Sequence, residues 1–204
     1  MAFEPFERRA GESGYTCVAG IDEAGRGPLA GPVVAAAVVL PDESRIDGLQ
    51  DSKRLTAKQR DRVYEAILQH ALDYGVGMVS STEIDQLNIL QAAREAMRRA
   101  LSELQLQPDL ALIDGNQKID SGIAECTIVR GDARCASVAA ASVVAKVTRD
   151  RLMTAYAARF PGYGFEQHKG YPTRAHYECL RALGPCAIHR LSFRGVATPR
   201  ESRA

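Results

Sequence analysis

The chain has 204 residues, 46% of them hydrophobic, which predicts one domain with a well-buried core. No apolar run approaches the roughly 20 residues of a membrane-spanning helix, and charges interrupt the N-terminus where a secretory signal would be apolar. The formal net charge of +1 hides an uneven distribution, because residues 1–132 hold 14 Lys and Arg against 21 Asp and Glu, whereas residues 133–204 hold 12 against 4.

Predicted strands and helices alternate along the chain. Strands are predicted at residues 16–22, 33–40, 76–80, 109–113 and 126–129, and helices at residues 56–71, 88–106, 136–160 and 173–183. The second strand, VVAAAVVL, is apolar throughout, as is typical of a strand buried on both faces. Thr56 and Gln59 have the spacing of a capping box at the start of the first helix. The alternation predicts an α/β fold with a central mixed sheet flanked by helices.

The predicted domain spans the whole chain, residues 1–204, because no linker or repeat marks a boundary. Only the ends, roughly 1–14 and 196–204, are expected to be flexible, which leaves an ordered core of about 15–195. The five cysteines are scattered and form no CxxC pair, a pattern that favours reduced core thiols over a disulfide framework or a zinc site. We therefore expect a cytoplasmic protein without a membrane segment.

Four acidic residues lie at the ends of predicted strands. Asp22 and Glu23 close the first strand, Asp114 follows DLALI, and Asp132 follows TIVRG. Because α/β folds place their sites where strand ends converge, these carboxylates would meet at one edge of the sheet. They would repel one another there unless hard cations such as Mg²⁺ or Mn²⁺ neutralised them. The basic flank after residue 132 would suit a polyanion held against such cations, or it is ordinary solvated surface.

Each carboxylate also has a purely structural interpretation. Asp114 precedes a glycine, a pattern typical of turns, and Asp132 has the place of a helix N-cap. Asp22 and Glu23 would point to opposite faces of a regular strand, so they share a cation only where the strand ends or bulges. The spacing alone leaves both interpretations open.

A glycine-rich segment, residues 25–31 (GRGPLAG), follows the first two carboxylates, and we call it the glycine loop. It does not match a dinucleotide-binding fingerprint, because the third glycine comes one residue late and a strand follows in place of a helix. We therefore expect no small-molecule cofactor. The loop amides and Arg26 would instead approach a nucleic-acid backbone, unless the segment is a plain connecting turn.

Eight segments, in order along the chain, resemble the type 2 ribonuclease H family and bacterial ribonuclease HII in particular. They are GIDEAGRGPLAGPVV (20–34), DSKRL (51–55), EIDQLNIL (83–90), LIDGN (112–116), GDA (131–133), SVAAASVVAKVTRD (137–150), YGFEQHKGYPTRAH (163–176) and HRLSF (189–193). Each is weak alone, but together they cover nearly the whole chain apart from its ends.

The resemblance implies a ribonuclease H-like fold followed by a helical C-terminal region. It implies that Asp22, Glu23, Asp114 and Asp132 are catalytic and hold two divalent ions, Mg²⁺ or Mn²⁺, that activate a water and stabilise the leaving oxygen. The implied partners are RNA/DNA hybrids and DNA duplexes that contain ribonucleotides, cut to leave a 5′-phosphate and a 3′-hydroxyl. We expect the enzyme to act as a monomer.

The resemblance also assigns substrate contacts. Gly25, Arg26 and Gly27 match the loop that senses the ribose 2′-hydroxyl, and Tyr171 matches a tyrosine that packs on the sugar at the RNA-to-DNA junction. The alternative for Tyr171 is a core tyrosine. Basic positions that would contact phosphates, or are merely solvated, match Lys53, Lys146, Arg149 and Lys169.

Three histidines, His168, His176 and His189, also lie in matching segments. They lack the spacing of metal ligands, which favours hydrogen-bonded structural or phosphate-facing roles.

Two other functions remain open from the sequence. A catalytically silent nucleic-acid-binding protein would use the same basic flank, although it gains nothing from four carboxylates that face a polyanion. Another nuclease of the same fold, such as a junction resolvase or an integrase-like enzyme, would cut all-DNA substrates. Cleavage that depends on a 2′-hydroxyl separates the ribonuclease from both.

Overall fold

One sheet of five strands organises the fold in the computed structural model, which describes residues 3–41, 46–50, 52 and 55–196. The strands are β1 (Val18–Ala24), β2 (Val33–Val39), β3 (Asp73–Val79), β4 (Leu110–Asp114) and β5 (Ala124–Ile128). Their order in the sheet is β3-β2-β1-β4-β5. β2 is antiparallel to β1 and β3, whereas β1, β4 and β5 are parallel. The predicted mixed sheet is confirmed.

Helices cover both faces of this sheet. Those in the described part of the chain are α1 (Phe6–Glu12), α2 (Ala57–His70), α3 (Ser81–Leu87), α4 (Ile89–Ser102), α5 (Gly131–Arg134), α6 (Ala136–Arg159), α7 (Phe165–His168) and α8 (Arg174–Leu183). The predicted capping box is present, since the Thr56 amide donates to Gln59 Oε1 at 2.9 Å and the Gln59 amide to Thr56 Oγ1 at 3.3 Å. Helices α7 and α8 form the expected helical C-terminal region.

The two faces of the sheet carry separate hydrophobic cores. Ala35 and Ala37 of β2 pack on the α4 side, and Ala36 and Val38 pack on the side of α2 and α6. The small residues of α6 let β1 approach closely, because a Cβ atom added at Gly20 would lie 2.2 Å from the backbone of α6. This packing fixes the end of β1 beneath α6.

The N-terminal segment differs from the loose end that the sequence predicted, because it forms helix α1. Ala10 is buried there. Glu4 pairs with Arg134 at 2.7 Å, and Glu7 accepts hydrogen bonds from the amide and hydroxyl of Ser137, both at 2.8 Å. The local pattern does not predict this helix, since it is short and its polar partners lie 130 positions away. Of the predicted loose C-terminal end, only Val196 lies within the described residues.

Smaller differences concern α3 and the cysteines. Helix α3 was not predicted, although Ser80 and Glu83 form a capping box at its start. All five cysteines are free; Cys135 is buried and Cys17, Cys179 and Cys186 are partly buried against the hydrophobic cores, so the prediction of reduced core thiols fails only for the exposed Cys126. Within the described ranges, no helix combines the length and the apolar composition needed to cross a bilayer.

Candidate active site

Asp114 ends β4, whereas β1 continues past Asp22 and Glu23 to Ala24, so these two residues lie near the end of their strand and do not close it as predicted. β1 and β4 pair in register up to the residue before each aspartate, so the two aspartates follow on the same face of the sheet. Asp114 Oδ1 accepts hydrogen bonds from the backbone amides of Gly131 at 2.6 Å and Asp132 at 3.4 Å. The structure therefore brings these three acidic residues to one edge of the sheet, where the sequence placed them.

The Asp22 carboxylate is buried, with 4% of the residue exposed. Burial, followed by the charges of Glu23 and Asp114, raises the pKa of Asp22 well above its usual value, and a hydrogen bond with Ser142 of α6 partly opposes this. The Ser142 hydroxyl also lies 3.0 Å from that of Ser52. A buried carboxylate repelled by two others favours binding of a proton or a cation.

Glu23 faces the opposite side of the sheet, since alternate residues of a strand point to opposite faces. Its Oε1 lies 3.2 Å from Nη1 of Arg26. Burial raises the pKa of Glu23, and the Asp114 charge adds to this, whereas Arg26 lowers it. Glu23 lines a cavity of about 50 Å³ that also includes residues of α4, the last residue of β4 and the segment after it; among them are Ala93, Arg94, Met97, Asp114, Gly115 and Asn116.

These donors fit a hard divalent cation by their chemistry. All four are carboxylates, the ligands that Mg²⁺ and Mn²⁺ prefer, and a cation would relieve the repulsion at Asp22. No three His, Cys, Asp or Glu side chains in the described ranges are already gathered as a metal site. The opposite orientations of Asp22 and Glu23 are one physical reason. The carboxylates are thus neighbours without forming a preassembled cluster.

The purely structural interpretations were a turn after Asp114 and a helix N-cap at Asp132, and the structure supports only the first. Gly115 has a φ of +95°, so Asp114 does precede a turn while it also ends β4. Asp132 lies inside α5 and is not the N-cap of α6; that position belongs to Cys135, which makes no side-chain cap. Glu7 of α1 supplies the capping carboxylate instead.

Arg190 supports the glycine loop from inside the protein. Its Nη2 donates to the carbonyl of Gly25 at 2.6 Å, its Nη1 to that of Arg26 at 3.0 Å, and its Nε to that of Gly31 at 3.0 Å. Burial, and then the charge of Arg149, lowers the pKa of Arg190 to about 9. Sequence reasoning missed this residue, because HRLSF gives no local signal of a contact 165 positions away.

Arg149 is a second buried support, and its predicted phosphate contact is wrong. The residue is fully buried, and its guanidinium donates to the carbonyls of Pro32 at 3.0 Å and of Ala30 and Lys169 at 3.1 Å. Burial lowers the pKa of Arg149. Its place in α6 beneath the glycine loop leaves it no access to a bound nucleic acid.

Gly25 and Gly27 meet different constraints. Gly25 has a φ of +97°, and a Cβ atom there would lie 2.1 Å from Nε of Arg149. Gly27 is exposed, and a Cβ atom there would meet only Tyr171 Cε1, at 3.9 Å. The fold therefore requires glycine at position 25 but leaves room for a side chain at position 27.

Tyr171 is 38% exposed beside the glycine loop, which does not support a core tyrosine. The amino group of Lys146 lies 5.6 Å from the centre of its ring, and the Arg149 guanidinium lies 5.8 Å from it. The ring thus stands at the surface with two cations against it.

The predicted phosphate-binding lysines have partners within the protein. Lys146 Nζ lies 2.7 Å from Asp150 Oδ1, and Lys169 Nζ donates to Thr154 Oγ1 at 2.8 Å. Lys53 lies outside the described residues. Contact of any of the three with a phosphate stays a prediction.

The histidines have hydrogen-bonded structural roles, one of the two roles that the sequence allowed. His168 Nε2 lies 2.7 Å from the Tyr163 carbonyl. His189 Nδ1 accepts from the Cys186 amide at 2.9 Å, its Nε2 lies 3.1 Å from Nε2 of His176, and His176 Nδ1 lies 2.9 Å from the Tyr171 carbonyl. This chain supports the backbone at Tyr171.

Comparison with known proteins gives one consistent family. The Ribonuclease HII family matches residues 19–196. The Ribonuclease HII of Syntrophotalea carbinolica is 55% identical over 191 residues, which cover 94% of this chain and 91% of that protein. The ribonuclease H2 of Pyrococcus horikoshii superposes with a TM-score of 0.75 at 30% identity, covering 89% of this chain and 95% of that chain. Bst-RNase HIII in complex with Mn²⁺ shares the fold, with a TM-score of 0.69 at 21% identity, covering 95% and 72%.

The fold and the carboxylate-bearing strand ends define a ribonuclease H-type hydrolase that depends on divalent metal. The family match and the relatives go further. The chain belongs to the Ribonuclease HII family and is an endonuclease that acts on RNA paired to DNA.

Proposed function

We propose that the enzyme hydrolyses the RNA strand of RNA/DNA hybrids and also nicks duplex DNA 5′ of an embedded ribonucleotide, leaving a 5′-phosphate and a 3′-hydroxyl. The main support for this proposal is that the acidic residues adjoin an exposed surface formed by the glycine loop and Tyr171. Arg26 of the glycine loop pairs with Glu23, and Gly27 lies beside Tyr171. A phosphate at the carboxylates would thus place its sugar near the loop.

Asp22, Glu23, Asp114 and Asp132 would hold two divalent cations, Mg²⁺ or Mn²⁺. When bound, such ions lower the pKa of a water nucleophile and stabilise the negative charge on the leaving oxygen. The Mn²⁺ in Bst-RNase HIII supports this assignment by analogy of fold alone. The raised pKa of Asp22 supports it on physical grounds, because a cation would offset both its burial and its repulsion.

The surrounding residues hold these carboxylates in place. The Glu23 amide donates to Asp22 Oδ1 at 2.7 Å, and Ser142 bonds the same side chain. The Gly131 amide fixes Asp114. Each carboxylate so held loses less rotational freedom when it binds substrate and cation, which favours catalysis by preorganisation.

Recognition of the sugar belongs to the glycine loop and Tyr171 in this proposal. Gly25, Arg26 and Gly27 would form the segment that senses the 2′-hydroxyl, since the exposed backbone at Arg26 and Gly27 can approach a sugar closely. The Tyr171 ring would pack on the sugar at the junction. Lys53, Lys146 and Lys169 would contact phosphates, and their contribution would weaken with added salt.

The test is incubation of purified protein with a labelled RNA/DNA hybrid, a DNA duplex that contains one ribonucleotide and an all-DNA duplex, each in Mg²⁺, Mn²⁺ or EDTA. We expect metal-dependent nicking 5′ of the ribonucleotide and an intact control. Cleavage of hybrids alone would confine the activity to continuous RNA and refute the excision function. Cleavage of the all-DNA duplex would contradict recognition of the 2′-hydroxyl.

A cellular role in removing ribonucleotides from DNA follows from this activity and is part of the proposal. The cytoplasmic location and the monomeric state expected from the sequence also stay predictions. Light scattering of the purified protein, alone and with the duplex, tests the second.

A further inference from the structure

The first two peptide groups of the glycine loop direct their carbonyls into the protein. The Gly25 and Arg26 carbonyls both accept hydrogen bonds from the buried guanidinium of Arg190. All peptide bonds of the described residues are trans, so the N–H of each peptide group points away from its C=O. The amides of Arg26 and Gly27 therefore point away from Arg190.

The outward side of these peptides is the exposed surface. Gly25 is buried, whereas Arg26 and Gly27 are exposed. Within the described part of the chain, neither the Arg26 nor the Gly27 amide donates to a backbone acceptor. Two neighbouring donors thus face the surface that Tyr171 borders, in the direction from which a sugar would approach.

We propose that Arg190 is a positioning residue for ribose recognition: by holding two carbonyls inward, it presents the Arg26 and Gly27 amides as paired donors for a 2′-hydroxyl. This rests on the proposed function, which assigns the loop to the sugar. The hydroxyl oxygen accepts such hydrogen bonds and a deoxyribose offers nothing in its place, so the orientation of the two peptides sets the discrimination.

The guanidinium suits this task because it offers several donors in a fixed planar fork. Its donors bind three loop carbonyls, at 2.6 to 3.0 Å. The segment that carries it is anchored separately, since Asp85 of α3 accepts hydrogen bonds from the amides of Leu191 at 2.8 Å and Ser192 at 2.9 Å. A lysine would keep the charge but could not reproduce the fork.

Arg149 offers a matched control. It is buried like Arg190 and donates to three carbonyls, but these belong to Ala30, Pro32 and Lys169 and not to the two outward-facing peptides. Replacing either arginine by lysine removes a comparable set of buried hydrogen bonds. Only the change at Arg190 releases the peptides that precede Arg26 and Gly27.

The experiment measures binding in the Asp22→Asn background, so that turnover does not interfere. The readout is the ratio of the Kd for an all-DNA duplex to the Kd for the same duplex with one ribonucleotide, at fixed salt and metal concentrations. We expect Arg190→Lys to reduce this ratio about tenfold, as loss of one well-placed hydrogen bond would. Arg149→Lys should reduce it by less than about threefold despite a similar loss of thermal stability.

The outcomes separate the two proposals. A background protein without preference for the ribonucleotide would refute the proposed function itself. A preference that Arg190→Lys retains, or that both lysine variants lose equally, would leave the function standing and overturn the role of Arg190. If Arg190→Lys does not fold, Asp85→Asn provides the test. This change weakens the hydrogen bonds that hold residues 191–192, next to Arg190, and leaves the Arg190 side chain itself unaltered. We then expect a ratio reduced by about twofold or more, and an unchanged ratio overturns the proposal.

Discussion

Asp114 ends β4 and lies beside Asp22 near the end of the parallel strand β1, where burial and then the negative charges of Glu23 and Asp114 raise the pKa of Asp22. Among the residues that the structure describes, two strands and three helices lie between these two residues along the chain. Parallel pairing of β1 with β4 brings them together on one face of the sheet. We therefore expect the clearest effect on cleavage rate and stability from removing the charge of Asp22.

Asp22→Asn should lower the cleavage rate at least about a thousandfold, because metal assistance contributes several kcal/mol to the transition state. The melting temperature should stay level or rise, since the amide keeps the shape and removes a buried, repelled charge. Gel assays of nicking and calorimetry measure the two effects. Asp109→Asn, at the opposite end of β4, is the control: it weakens hydrogen bonds to Thr16 and Cys17 and should cost stability but not rate. A normal rate in Asp22→Asn would refute the assignment.

Alanine at Gly25 and alanine at Gly27, two of the three glycines of the loop, should separate an effect on folding from an effect on binding. Gly25→Ala should cost about 1–3 kcal/mol of unfolding free energy, because the φ of +97° is strained for alanine and its Cβ meets Arg149. Gly27→Ala should change stability by less than about 0.5 kcal/mol but weaken binding of the ribonucleotide duplex. Urea unfolding and fluorescence titration measure these quantities. Normal binding by Gly27→Ala would show that the sugar does not approach this position.

Glu7→Ala should destabilise the fold by about 1–2 kcal/mol, the usual cost of a lost helix cap. Its carboxylate bonds the amide and hydroxyl of Ser137 at the start of α6, the helix next to α5 and Asp132. Glu12→Ala is the matched control, since the Glu12 pair with Arg8 is exposed and contributes little. Equal melting temperatures for the two variants would argue against a capping role for α1.

The buried histidines should make stability fall in mild acid. Burial lowers the pKa of His189 to about 4 and also lowers that of His176. Between pH 6.5 and about 4 the unfolded chain therefore binds more protons than the folded one, so the stabilising contribution is complete above pH 6.5 and is lost as the pH falls. Asp22 and Glu23, with raised pKa values, act in the opposite direction.

NMR titration isolates the histidine contribution from that of the carboxylates. The imidazole signals of His189 should show no protonation at pH 5.5, whereas a midpoint near 6.5 would contradict its buried, hydrogen-bonded environment. Urea unfolding of His189→Gln beside the unsubstituted protein measures the stability effect. The difference in unfolding free energy between them should shrink as the pH falls below 6.5.

Local patterns were sufficient for much of the fold and for the position of the acidic residues. The continuous apolar run of β2 is buried at all seven positions, and the Thr56 capping box begins α2. The succession of strand and helix patterns predicted the mixed α/β sheet, because periodicity of apolar residues reports which face is buried. The same reasoning placed Asp22 and Asp114 at strand ends, and the family segments identified the enzyme class.

Only the tertiary structure decided which charged residues bind groups of the protein itself. Arg149 and Arg190 resemble surface cations in the sequence, yet both are buried and bind loop carbonyls. Glu7 of α1 caps a helix 130 positions away along the chain. A sequence pattern reports local periodicity, whereas the partner of a long polar side chain depends on packing between elements that are distant along the chain. The sequence by itself therefore determined the fold class and the acidic strand ends, and packing determined how the glycine loop is held.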